Sequence, residues 1–467
     1  MQVMGHRMSV QDTLWLHMDR PDNLMVIDCV FWTASPVTLE EARQVMQERL
    51  VDRFPTFRCR PVRSLLPGAP ASWEPDPDFA IDRHVVVGRA PTADRAGLEQ
   101  LLSEQRSVPL PDDRPMWVAH VVPQVEGGSA VVMRLHHAIA DGIRLTQVAL
   151  GLFDDDGEDV DGGRTGADAA PRTGEKPSGT RLAAGLRALA DATLGRLPVA
   201  GALAGPVGEL SGALADAALE QVGRTVRTAG AIAPLLSLPA EVPQSWRRPL
   251  GVGKTVVWGN PIPLDQVKAV GRRTGGTVND VLTTWLAGAL ARHLTGQGDQ
   301  PCPTTWLMPV NLKPFDENLP PNLGNHFTVV PLELPSGTEP LAERIAILQE
   351  RTAALRDSHT ATLMYAAQLV GSQTPEPLAR FLADLVADRG VGVLTNVPGP
   401  RHPVFFAGAR VAGMVAWAPC TARQPISVSI FSYDGQVFVG FACDDGVIPD
   451  AAALLQAFHD EVAGSLP

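Results

Sequence analysis

The sequence predicts a mixed α/β (α+β) protein built as two similar-sized halves on either side of a long connector. Three observations lead to this reading. At 467 residues the chain is too long for one ordinary core. Short β-branched runs and helical apolar periods occur in both the first 153 residues and residues 251–467. Between them, residues 154–250 change character completely.

In the first half, Thr38 and Glu41 form a capping box ahead of a helix over 39–51, where Ala42, Val45, Met46 and Leu50 recur at helical spacing. Strands are expected at Met25–Trp32, His84–Val87, Met116–Val122 and Ala130–Leu135. The connector opens with an acidic, Gly- and Thr-rich loop, Asp154–Thr180. It continues as an Ala/Leu/Gly-rich helical crossover from Arg181 to about Leu236 and ends among Pro239, Pro243 and Pro249. In the second half, Lys254–Trp258, Trp306–Val310, Phe327–Leu334, Ile426–Tyr433 and Val437–Cys443 read as strands, with Asp434-Gly435 as a hairpin turn. Helices are expected at Leu264–Arg273, Asn279–Leu294, Leu341–Leu355, Pro377–Ala387 and Asp450–Val462. Two such halves leave a cleft between them, a common place for a substrate site.

Composition narrows the function. A net charge of −12 argues against a nucleic-acid-coating protein, because phosphate binding needs clustered positive charge. The five cysteines form neither a CxxC pair nor a ligand cluster, so neither a metal centre nor a disulfide framework is expected. The N-terminus lacks the apolar core of a signal peptide, and no apolar run reaches the roughly 20 residues of a membrane span. The expectation is a cytoplasmic protein, with peripheral contact to a membrane or lipid inclusion left open.

The segment His136-His137-Ala138-Ile139-Ala140-Asp141-Gly142 carries the chemistry. The apolar run Ala130–Leu135 stops abruptly at the two histidines, and Asp141-Gly142 turns the chain into a second apolar run. Adjacent residues of an extended segment point to opposite sides, so one histidine is assigned to chemistry and the other to structure. An imidazole titrating near 6.5 accepts and returns protons at neutral pH, which suits transfer of an acyl group from a thioester to an oxygen nucleophile. Asp141 either orients the imidazole, holds the loop through an arginine, or caps the following helix. Packing histidines and an ordinary Asp-Gly turn are the bland alternative. The chain has no Gly-x-Ser-x-Gly elbow, which disfavours a serine hydrolase.

The His-His-x-x-x-Asp-Gly pattern resembles the active-site motif of the CoA-dependent acyltransferase superfamily. Further segments resemble the bacterial wax ester synthase/diacylglycerol acyltransferase family: Ser9-Val10-Gln11-Asp12 with Leu14-Trp15-Leu16-His17, Pro115-Met116-Trp117, Asn279-Asp280, Pro309-Val310-Asn311-Leu312, Gly324-Asn325-His326-Phe327 and Asn396-Val397-Pro398-Gly399-Pro400. They run in order from residue 9 to 400, so the resemblance spans the chain. It implies two chloramphenicol-acetyltransferase-like domains with an active-site tunnel at their interface. It makes His137 the general base, with His136 and Asp141 supporting the loop. Acyl-CoA is the implied co-substrate, with no permanently bound cofactor and no obligate protein partner. A fatty alcohol or diacylglycerol is the implied acceptor.

The same resemblance places Asn279 as an oxyanion contact and Gly142, Asp280, Asn396 and Pro398 along the tunnel. Asn279 also reads simply as an N-cap, and Asp280 as a complement to the helix dipole. Arg272 and Arg273 are candidates for the CoA phosphates. Two departures from the family pattern stand out: Met116 replaces leucine, a swap of similar volume, and Arg144 stands where small residues are common. The rival readings are an amide-forming condensation-type enzyme and a non-catalytic lipid-surface protein using residues 181–236.

Overall fold

A computed structural model describes residues 5–64, 69–155, 242–311, 319–358, 360–372 and 376–466. Nearly all of the acidic loop, the helical crossover and Leu312 lie outside the described residues. Two seven-stranded sheets organise the rest, each with its own apolar core.

The first sheet is centred on Gly128–His136, in which every residue is buried. A strand covered on both faces reads as a continuous apolar run, as this one does. It pairs antiparallel with Trp117–Val125 on one side and Val26–Thr33 on the other. Val85–Val87 extends the first flank. Beyond Val26–Thr33 the sheet is continued by Ala409–Trp417, then Val404–Phe406, then Asp154–Asp155. A boundary drawn on sequence puts residues 251–467 in one unit, yet this unit lends two strands to the sheet of the other half. Their signal was in the chain: an alternating run at Ala409–Trp417 behind a two-residue turn, Ala407-Gly408, with φ of +50° and +78°.

The second sheet orders Ile262–Pro263, Gln436–Asp444, Ile426–Tyr433, Gly392–Pro398, Thr304–Asn311 and Phe327–Leu334, with Lys254–Trp258 also on Gln436–Asp444. Its central hairpin turns at Asp434-Gly435 with both φ positive, as the dipeptide predicts. Helix Val278–Gly296 packs against helices Leu341–Asp357 and Ala451–Ser465 and is buried on nearly every face. The predicted helices and strands of this half are all present, with ends shifted by at most three residues. The 39–51 helix is also present, as Leu39–Met46 behind the expected Thr38/Glu41 capping box, and its last turn widens into a π-turn over Gln47–Val51. Helices Val10–His17 and Arg95–Arg106 were not read from the sequence.

The halves meet along an aromatic seam. Trp32 stacks on Trp258 at 6.0 Å, Trp258 lies 5.8 Å from Trp417, and Phe438 meets Trp32 edge-on. Gly413 makes room for it: a Cβ there would fall 2.2 Å from the Trp32 ring. Helix Arg95–Arg106 completes the join. Its Ser103 Oγ and Glu99 Oε1 accept the N–H groups of Val256 and Trp258 on the edge strand of the second sheet.

Beneath that helix, Asp28 is fully buried. It takes Arg134 Nε at 3.0 Å from the adjacent strand and Arg106 Nη1 at 2.5 Å from the helix. Removing one partner of a buried charge cluster is strongly destabilising. Asp28→Ala is therefore expected to lose about 3–5 kcal/mol in urea unfolding. A loss below about 1 kcal/mol would show that the arginines find compensation elsewhere.

Candidate active site

The central strand ends at His136, and there the chain divides its hydrogen bonds. The N–H of His136 donates to Met116 O on one flanking segment, and that of His137 to Met25 O on the other, at 3.0 and 2.7 Å. The two side chains consequently lie in different surroundings. His136 is fully buried: its Nδ1 accepts the N–H of Ala138 at 3.1 Å, so in the neutral ring Nε2 carries the proton and faces Asp19 Oδ2 at 3.1 Å. Asp19 Oδ1 also takes the N–H of Met25 at 2.6 Å. Burial opposes ionisation of Asp19, but the bonds from His136 and Met25 prevail and hold its carboxyl below the usual range.

His137 turns the other way. Trp15 stacks on its ring at 4.4 Å and Phe327 lies at 5.2 Å. Its Nδ1 is enclosed with no hydrogen-bond partner, which leaves Nε2 as the ring nitrogen open to the cavity that His137 lines. Burial pushes the imidazole down to about 4; its own carbonyl and the Asn325 side chain act in the opposite direction.

Segment Gly324–Phe327 of the second half holds the motif from outside. Ala140 and Gly324 form an isolated parallel bridge, and Gly324 takes φ +67°. Asp12 Oδ1 accepts both the backbone N–H and the side-chain Nδ2 of Asn325, at 3.0 and 2.8 Å. The same Nδ2 donates to the carbonyl of His137 at 3.0 Å. Asp141 resolves the alternatives read from the sequence. Its Oδ1 caps helix Gly142–Leu150 through the N–H of Arg144, and its Oδ2 accepts the N–H of His326 at 2.8 Å. No arginine side chain among the described residues pairs with it.

His137 sits on the wall of a cavity enclosing about 990 Å³ with the open space at its mouth included. Leu14 and Met18 come from the first half; Leu307, Met364, Leu382 and Val386 come from the second. The few polar side chains on the wall include Gln368, whose Nε2 is buried without a partner.

The remaining expected residues lie elsewhere. Gly142, Asn279, Asp280, Asn396 and Pro398 are absent from this wall. Asn279 is not the N-cap of its helix: Thr277 holds that position, because its extended backbone and Asp280 three residues on complete a capping box. The Asp280 carboxylate accepts the N–H of Thr277 and Nε2 of Gln349, both at Oδ2. Asn279 Oδ1 instead accepts Asn396 Nδ2 at 2.8 Å, joining two of the expected residues. Arg272 and Arg273 are exposed at a helix end, and Arg273 donates to the Ser465 carbonyl. Arg144 is buried. Sequence reasoning missed the roles of Asp12, Trp15, Asp19 and Asn325; three of these lie in segments quoted for the resemblance, and Asp19 had no signal of its own.

The structure leaves a strand-end histidine, held from both halves, on an apolar cavity between them. Among the described residues there is no group of three or more potential metal ligands and no helix long and apolar enough to cross a membrane.

The wax ester synthase/diacylglycerol acyltransferase catalytic domain matches residues 8–282, and the WS/DGAT C-terminal domain matches residues 323–464. A probable diacylglycerol O-acyltransferase of Mycobacterium tuberculosis, tgs1, is 26% identical over 406 residues, 85% of this chain and 81% of that protein. A putative diacylglycerol O-acyltransferase of the same species is 26% identical over 475 residues, 97% and 89%. The wax ester synthase/diacylglycerol acyltransferase from Marinobacter aquaeolei VT8 superposes with a TM-score of 0.67 over 98% of each chain, at 19% identity. The first condensation domain of the calcium-dependent antibiotic synthetase gives 0.56 at 17% identity, over 98% and 96%. These likenesses bear out the expected two-domain acyltransferase-like fold. Domain matches that run nearly end to end, over a site in which both halves hold one histidine, show that the chain belongs to the wax ester synthase/diacylglycerol acyltransferase family.

Proposed function

We propose that this acyltransferase moves a long-chain acyl group from acyl-CoA to a fatty alcohol or diacylglycerol, with His137 as the general base. The observation that carries this reading is Nε2 of a buried, neutral imidazole opening onto an apolar cavity between the halves. Nε2 takes the proton of the acceptor hydroxyl as its oxygen attacks the thioester carbonyl. The tetrahedral intermediate then expels the CoA sulfur, which receives that proton, and ester and free CoA leave. The aromatic faces of Trp15 and Phe327 favour the transient imidazolium. The apolar wall suits an acyl chain.

Gly142, Asn279, Asn396 and Pro398 fit the CoA-facing part of the interface, outside the apolar cavity. Gly142, Asn396 and Pro398 are exposed, and a Cβ at Gly142 would meet nothing within 4 Å. Arg272 is the better placed of the two arginines for a phosphate, since Arg273 already has a partner. Peripheral contact with a membrane or lipid droplet is supported by Phe381, 60% exposed on a helix that lines the cavity through Leu382 and Val386.

The purified chain with palmitoyl-CoA and either hexadecanol or dioleoylglycerol is expected to release CoA; no release with any alcohol would overturn the enzyme reading. His137→Ala should lower turnover at least about 10²-fold with the fold intact. His136→Ala should chiefly lower the melting temperature, through loss of the Asp19 and Ala138 bonds, and the reverse ranking would exchange the two roles. Because the base must be unprotonated, kcat/KM should fall as pH drops through about 4 and stay level near 6.5. An acid limb centred at 6.5 would mean that the ring is solvated in the working enzyme. The same shift makes folding less favourable below 6.5, where the unfolded chain takes up a proton that the folded one refuses until about 4.

A further inference from the structure

We propose that Asn325, oriented by Asp12, is a positioning residue that keeps the His137 proton on Nδ1 and so leaves Nε2 free to act. The inference rests on the reading of His137 as the base.

Asn325 is 1% exposed, and its amide is fully specified by its neighbours. An asparagine amide has two donors on nitrogen and an acceptor oxygen. Here Nδ2 faces two acceptors, Asp12 Oδ1 at 2.8 Å and the His137 carbonyl at 3.0 Å. Asp12 Oδ1 already accepts the Asn325 backbone N–H, and a carbonyl only accepts, so a flipped amide would set oxygen against oxygen at both places. Asp12 is itself fixed by the N–H groups of Ser9 and Asn325 and cannot turn away.

This orientation leaves Asn325 Oδ1 buried without a partner, and His137 Nδ1 is buried without a partner as well. The two residues already touch through Nδ2 and the carbonyl. Oδ1 is an acceptor and Nδ1 can be a donor, so the two orphan atoms can satisfy each other only when Nδ1 carries the hydrogen. The opposite tautomer turns the Nδ1 lone pair toward an acceptor and leaves both buried groups unpaired, which disfavours it. The direction in which Asn325 acts on the charged ring agrees: it favours the imidazolium. Asn325 thus works through His137 and need not touch substrate.

The test reads the ring directly. In the full chain labelled with ¹⁵N-histidine, the His137 signals are identified by their loss in His137→Asn. They are expected to show protonated Nδ1 and bare Nε2 from pH 6 to 8. Asn325→Leu, of similar size and without polar atoms, should give a mixture of tautomers and lower kcat about 10-fold or more at unchanged KM. Asn325→Asp should move the acid limb of kcat/KM to higher pH, because a carboxylate there stabilises the imidazolium. If Asn325→Leu does not fold, Asn325→Ala provides the same reading, since it removes the amide oxygen with less demand on packing. Protonated Nε2 in the unaltered chain, or ring signals unchanged in whichever of Asn325→Leu and Asn325→Ala folds, would overturn the proposal. A chain that shows the expected tautomer yet releases no CoA would overturn the acyl-transfer reading instead.

Discussion

A backbone that leaves a sheet must find new acceptors for its N–H groups, and the site follows from how the central strand meets that demand. His136 and His137 take their acceptors from flanking segments on opposite sides, Met116 and Met25. That split points one imidazole into the sheet's own hydrogen-bond system and the other toward the second half of the molecule. No loop flexibility intervenes, because Ala138, Ile139 and Arg144 all donate backwards into the same seven-residue segment.

The second constraint is that neither half holds the motif alone. Asp12, Trp15 and Asp19 arrive from the N-terminal segment, while Asn325, His326 and Phe327 arrive from the other half. The exchanged strands Val404–Phe406 and Ala409–Trp417, the tryptophan seam and the Asp28 cluster fix the halves at the spacing these contacts require. Packing energy in the seam is therefore spent on the geometry of a site some way from it.

Much of this was legible in the sequence. The strand at Ala130–Leu135, the capping box at Thr38, the hairpin at Asp434-Gly435 and the opposite facing of the two histidines follow from local patterns that tertiary packing reinforces. Helix Val10–His17 did not show because it is eight residues long and buried on several faces, so no amphipathic period develops. The strand exchange was invisible because a strand pattern states its faces but not its neighbours. Asn279 was misplaced as a cap by two residues, since Thr277 and Asp280 make the better pair. The partnership of Asp12 with Asn325 spans 313 positions, a distance at which no periodicity argument operates.

The strand exchange also has a consequence in time. Val26–Thr33 leaves the ribosome long before its partner on one side, Ala409–Trp417. Until that late segment emerges, the strand presents an open edge of unpaired backbone groups, the kind of edge that recruits other chains. The sheet of the first half is therefore completed only after Ala409–Trp417 has been made.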